Sequence, residues 1–232
     1  MAEWIFRAAH GDAVIGPDGI PQLGPDGQEL RVPVEPQKTA GAGGKGQDGS
    51  EGHYDFFHGV FPGKGGNGDP GHPGSPGAKG HTGHQGGSHL MVVHGVVSGV
   101  RVVSMGGDGG TGGLGGKGGP GGQGGEGGHI DNGPDDGIVK QGDGGDGGEG
   151  GKGGNGGPGG DGGDGGKITI SAKESIAVSA HSVGGTPGPG GNPGGGGVGG
   201  AKGVGYNAGK EGDSGDDGVP GPTGNKGASP EP

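Results

Sequence analysis

Five histidines fall close together near the middle of the chain: His72, His81, His84, His89 and His94. On an α-helix, imidazoles at i and i+3 can share a zinc ion. Here His81 and His84 lie in a run with glycine at every third position from Gly65 to Gly86. At three residues per turn and about 3.1 Å per residue, they share a ridge but stand roughly 9 Å apart. One ion cannot span that distance unless the chain bends at Gly86-Gly87. His81, His84 and His89 are therefore metal candidates only through such a bend. The expectation is surface histidines, with no bound metal or other cofactor.

Carboxylates recur at the same spacing. Asp143, Asp146, Glu149, Asp161 and Asp164 are separated by multiples of three residues, and Asp108 begins a similar row. The pattern lacks the aliphatic position of calcium-binding β-roll repeats and the terminal Glu of a 12-residue EF-hand loop. The expected role is solvated surface charge; whether divalent ions bridge neighbouring rows is left open. Catalytic signatures are missing too. There is no Cys nucleophile, no Gly-x-Ser-x-Gly, and no P-loop Gly-Lys-Ser/Thr. His53 and Asp55 have no evident third member of a triad. The chain is expected not to be an enzyme.

The elements that carry these residues are built mostly of glycine. With 80 glycines, 22% hydrophobic and 3% aromatic residues and a net charge of -11, an ordinary side-chain core is out of reach. The excess of Asp and Glu over Lys and Arg speaks against a nucleic-acid partner. The longest apolar run, Leu90 to Val93, is too short to span a membrane. MAEWIFRAAHGDAV at the N-terminus has no apolar stretch after a basic start, so no signal peptide is expected. Location stays open, an extracellular surface or a virion included.

Composition alone would fit a disordered chain, but the frame of the repeats argues for order. Residues 106–128 and 144–166 hold Gly-Gly-X without a break, and glycine recurs every third residue in 43–52, 65–86, 185–203 and 209–227. Three residues per turn is the period of a polyproline II-type helix. A Gly-Gly-X run then has two bare ridges and one decorated ridge, and the bare ridges let neighbouring backbones bond laterally. One decorated row would carry Asp108, Thr111, Leu114 and Lys117; another would carry Asp143, Asp146, Glu149, Lys152 and Asn155. Both rows are polar and are expected to face solvent. A run of this length would extend for roughly 70 Å.

Two domains are expected: a non-repetitive β-rich head, 1–38, with turns at Gly16–Gly19 and Gly24–Gly27, and a glycine-rich region, 39–232. The second contains strand-like insertions near 90–105 and 167–181, the latter read as two strands with a turn at Lys173-Glu174. The expected fold class is a glycine-rich repeat: a layered bundle of polyglycine II helices with a small β-rich head and capping strands.

These repeats resemble proteins built as bundles of polyglycine II helices, namely springtail antifreeze proteins and the tail-fibre tip adhesins of T-even-like phages. Stretches such as GDPGHPGSPG (68–77) also resemble bacterial collagen-like proteins. The resemblance covers about two-thirds of the chain and rests on repeat grammar. It implies a rigid non-enzymatic scaffold: a structural or adhesive module displaying polar faces and loops to a protein or a surface glycan. The alternatives it implies are ice binding and a collagen-like trimeric stalk. Ice binding needs an uncharged flat face, for which Thr186, Val198 and Ala201 of 185–203 are the candidates. Oligomeric state is left open. The dense aromatic cluster in 53–61 supplies the candidate binding residues Tyr54, Phe56, Phe57 and Phe61. The competing expectation, that Phe56, Phe57 and Phe61 plug one end against Trp4, Phe6 and the Val92–Val103 stretch, is the favoured one.

Overall fold

The computed structural model describes residues 2–9, 11, 13, 22, 39–51, 53–54, 59–94, 98–130, 141–172 and 177–230. The turns expected at Gly16–Gly19 and Gly24–Gly27, Phe56, Phe57 and the Lys173-Glu174 turn lie outside them.

Six glycine-rich segments (43–51, 65–86, 106–128, 144–166, 185–203 and 209–227) run side by side, and each reverses direction relative to the one before. Bonding between them follows a three-position rule. The outward residue X gives its carbonyl to a neighbour in the same layer. The residue after X donates its amide within the layer, and the next donates across to the other layer. In the third segment, Gly109 donates to Thr186 of the fifth (2.9 Å), and Gly110 donates to His81 of the second (2.7 Å). In the fourth, Gly147 donates to Lys210 of the sixth (2.8 Å) and Gly148 to Gly122 of the third (2.7 Å). Parallel bonds thus link the first, third and fifth segments into one layer and the second, fourth and sixth into another. Antiparallel bonds join the layers.

The secondary structure overturns the expected bundle of polyglycine II helices. Among the described residues there is no helical element. The regular secondary structure consists of short strands in small, mostly parallel sheets. These are β1 (Ala2–Arg7), β2 (His53–Tyr54), β3 (Gly59–Val60), β4 (His89–Val93), β5 (Ser98–Met105), β6 (Ile168–Ala172) and β7 (Ala177–Val183).

Five of the strands prolong the glycine layers. β5 and β7 lead into the third and fifth segments and pair in parallel, with β1 on the far side of β5, in the order β1-β5-β7. β4 and β6 follow the second and fourth segments and also pair in parallel. The stretch 90–105 is therefore two strands in different sheets, and so is 167–181. The glycine register dictates this: each strand stays beside the continuation of its layer neighbour, so β6 bonds to β4 and β7 to β5. β-Branched residues take over where the glycines stop. Val93, Val102, Val103 and Ile168 are buried there, and Phe6 stacks on His89 with ring centroids 4.2 Å apart. Gly99, at φ 70°, is the one described glycine in the left-handed region, and it marks the irregularity between Ser98 and Val100 in the β5–β7 pairing.

Phe61 corrects the expectation of an aromatic plug. It is 73% exposed, and it precedes Gly63, which accepts from Gly128. Trp4 and Phe6 pair with Val102 and Ser104, beyond the other end of the third segment. The two aromatic groups stand at opposite ends of the array.

Substitution of single glycines should separate packed positions from open ones. A Cβ on Gly112 would fall on the Gly157 carbonyl oxygen and 2.7 Å from the Gly191 amide nitrogen. Gly112→Ala is expected to destabilise by at least about 1–3 kcal/mol. A Cβ on Gly195 meets nothing nearer than Asp217 Oδ1 at 3.6 Å. Gly195→Ala should therefore stabilise by about 0.4–1 kcal/mol, through loss of freedom in the unfolded chain. Thermal or denaturant unfolding of the two variants checks the opposite signs.

Candidate functional site

The rule that buries two residues of each triplet leaves the third facing outward, so the candidate site is a pair of faces. On the first, Thr111 and Lys117 are exposed and Asp108 and Leu114 half-buried. Beside them on the fifth segment run Thr186, Asn192, Val198 and Ala201, all exposed. On the second face, Glu149, Lys152 and Asn155 are exposed and Asp143 and Asp146 half-buried, flanked by rows from the second and sixth segments.

An outward residue has one group that the array does not bond, its own amide. On the second face, side chains of the fourth segment meet the outward amides of the sixth. Asp143 Oδ1 accepts from the Asn207 amide (3.1 Å), Asp146 from Lys210 (2.7 Å), and Asn155 from Val219 (3.1 Å). Asp161 accepts from Asn225 (2.7 Å) and Asp164 from Ala228 (2.7 Å). Every partner lies 64 residues further along the chain. At that same offset Pro158 meets Pro222, which has no amide to cap. Asp48 and Asp108 do the same on the first face, accepting from Glu126 (2.9 Å) and Thr186 (2.8 Å).

These contacts assign the acidic rows a role that solvated charge does not capture: much of the carboxylate series is a set of backbone caps. Asx side chains suit this because they are short enough to reach a neighbouring amide. Glu149 and Lys152, at the same offset from Asp213 and Asp216, make no such bond among the described contacts. A sequence signal existed in the 64-residue offset, which aligns Asx with a residue bearing an amide and proline with proline.

Capping also sets the electrostatics. Asp161 is held below its ordinary value first by the Asn225 amide and then by the Lys79 ammonium, 3.0 Å away. Asp48 is likewise held down by the Glu126 amide and then by Lys45, whose own value is raised by Asp48.

The metal candidates are not brought together. His81 and His84 are exposed on the second segment, while the His89 ring lies against Phe6. Among the described residues no three of His, Cys, Asp and Glu are grouped so as to hold a metal ion. In the aromatic hairpin, Tyr54 lies in β2, which pairs antiparallel with β3, and Phe61 follows β3. At the same end, the Tyr206 amide donates to Gly142, and the Tyr206 side chain is 65% exposed. Sequence reading passed over Tyr206 because it stands alone in a glycine-rich turn. Among the described residues, no helix is long and apolar enough to cross a membrane.

No known protein family matches this sequence, and no curated protein is significantly similar to it. Among solved structures, the chain is similar to a springtail antifreeze protein from Granisotoma rainieri, described as a nine polyproline type II helical bundle. Identity is 24%, over 80% of this chain and 97% of that one, with a TM-score of 0.12. At that score the two backbones do not superpose, and the likeness says nothing about this chain's role.

Asp161 and Asp48, the caps held below their ordinary values, predict an acid-sensitive array. A carboxylate whose folded-state pKa is depressed contributes its stability above its ordinary range and loses it as pH falls through the folded value. The melting temperature should therefore drop below about pH 4. Asp161→Asn keeps the acceptor oxygen and should flatten part of that drop. Asp161→Ala should melt lower than the parent even at neutral pH. Thermal scans across pH on the three proteins provide the check.

Proposed function

We propose that this chain is a non-enzymatic structural or adhesive module that displays polar rows and loop tips from a stiff glycine array to a protein or surface-glycan partner. One observation carries this reading. Bonding among the segments is almost wholly backbone to backbone, so the third residue of each triplet is available for surface chemistry. Catalysis asks for convergent groups in a sheltered site, whereas these rows diverge onto open faces. The end bearing Phe61 and Tyr206 adds exposed aromatic surface suited to recognition. Candidate contacts are thus Phe61 and Tyr206, with Tyr54 in the same hairpin and the outward rows behind them.

A second reading, ice binding, has its own observation. The outward row of the fifth segment carries no charge, and Thr186, Val198 and Ala201 are all exposed on it. Lys117 on the adjoining row works against it, since a charged group holds its hydration water. The trimeric stalk has no comparable support. A collagen triple helix needs glycine amides for bonds between chains, and those of the second and sixth segments donate within this chain, as Gly74 does to Lys152 (2.8 Å) and Gly215 to Gly197 (2.8 Å).

Binding of the chain to glycan and cell-surface protein arrays tests the first reading. The paired change Phe61→Ala and Tyr206→Ala should weaken binding at least tenfold and leave the melting temperature unchanged. Absence of any binding partner, together with ice recrystallisation inhibition that Ala201→Lys abolishes, would replace that reading with the second.

A further inference from the structure

The bonding rule has no built-in end, yet the array stops after the sixth segment. Carbonyls of the fifth segment accept across the layers from the sixth, as Gly200 does from Gly212 (2.9 Å) and Gly191 from Gly221 (3.0 Å). The equivalent carbonyls of the sixth, including Gly212, Gly215 and Gly221, accept from no backbone amide among the described residues. A seventh segment lying beside the fifth would bond to them. At the opposite side of the array, the amides of Gly41, Gly44, Gln47 and Ser50 in and around the first segment donate to no backbone carbonyl among the described residues. They recur every third residue, as the sixth-segment carbonyls do. The first segment also lies in the same layer as the fifth and runs in the same direction. A second copy, entering by its first segment, would therefore meet matching acceptors.

The fifth segment, however, has lost four of the six donors that this addition would use. By the three-position rule they would be the amides of 184, 187, 190, 193, 196 and 199. Positions 187 and 193 are proline, which has no amide hydrogen. Gly184 already donates to Ser229 Oγ (2.9 Å) and Gly196 to Asp217 Oδ1 (2.8 Å). The sixth segment completes the closure. Its flanking row holds Glu211, Ser214, Asp217, Pro220, Thr223 and Lys226 where the corresponding row of the fourth, 147 to 162, is glycine throughout. In the fourth that glycine is required, since a Cβ on Gly150 would fall on the Gly197 carbonyl oxygen.

We propose that the flank formed by the fifth and sixth segments is a latent self-association edge for a second copy of this chain, held shut by Pro187, Pro193, Ser229 and the side-chain row 211–226 of the sixth segment. An in-register contact between unlike flanks does not close on itself and so leads to open polymers. Removing the stops should release that growth, as uncovering any unpaired edge does.

Sedimentation over a range of protein concentrations tests the idea. The native chain is expected to keep the mass of one chain throughout. A variant combining Pro187→Gly, Pro193→Gly and Ser229→Gly with glycine at 211, 214, 217, 220, 223 and 226 should show mean mass rising with concentration. Asp217→Asn, which retains the acceptor oxygen, should stay single. Because the combined variant is drastic, one carrying only Glu211→Gly, Ser214→Gly, Asp217→Gly, Pro220→Gly, Thr223→Gly and Lys226→Gly is measured as well and should begin to associate at a higher concentration. Amide exchange reports whether each variant keeps its glycine bonds. Glycine variants that keep those bonds and remain single chains at every concentration overturn the proposal. So does a native chain that associates with its caps intact.

Discussion

Lateral bonding of a glycine amide to the carbonyl of another segment is the constraint on which this molecule depends. The bond closes only because no Cβ stands between the two backbones, and at interior positions an added Cβ would land on a carbonyl oxygen or an amide nitrogen. Most folds bring a polar backbone together incidentally while burying side chains. Here the backbone is the contact surface, and its polar groups must be matched or left in water. Interior segments such as the third bond to neighbours in both layers, so none is complete until those neighbours arrive. The array should consequently form and melt as a unit.

The five strands that prolong the layers supply what glycine cannot. A three-residue repeat is nearly degenerate: sliding a segment by one triplet re-forms most of its bonds, because consecutive triplets are almost identical. The β1-β5-β7 and β4-β6 sheets remove that degeneracy, since Val93, Val102, Val103 and Ile168 are buried in the observed register and would be displaced by a slip. Gly165 and Gly166 mark the junction, where a Cβ would fall on Ser182 Oγ and Ser104 Oγ respectively. Small hydroxyl residues stand in these strands because the fourth segment passes close by.

Part of this was legible in the sequence. The unbroken Gly-Gly-X frame marked out the third and fourth segments, and the polar third residues marked the outward rows. The secondary-structure class was not legible. A period of three suggests a helix, whereas the described residues form short strands and no helical element. Pairing was hidden too: 167–181 alternates like a local hairpin, and only the long-range register shows β6 and β7 parting to different sheets. The aromatic hairpin misled for a different reason. Scarcity of apolar residues made burial of Phe61 the natural expectation, but the chain reverses near Gly63, far from Trp4 and Phe6. Capping by Asp143, Asp146, Asp161 and Asp164 was unreadable without the 64-residue alignment that the fold supplies.

The caps also make the two faces unequal in their freedom to change. On the second face, replacing Asp161 or Asp164 removes an acceptor from a backbone amide, so the chemistry of that face is tied to the integrity of the array. On the first face, Asp108 and Asp48 cap one amide each, but Thr111, Leu114 and Lys117 cap none among the described contacts. Those positions and the uncharged row of the fifth segment can vary in size and polarity with little consequence for the glycine bonds behind them. On the display function proposed above, such a surface is the more useful one. By that argument, the face made by the third and fifth segments and the aromatic end beside it are better placed for recognition than the acidic rows, whose charge is in large part structural.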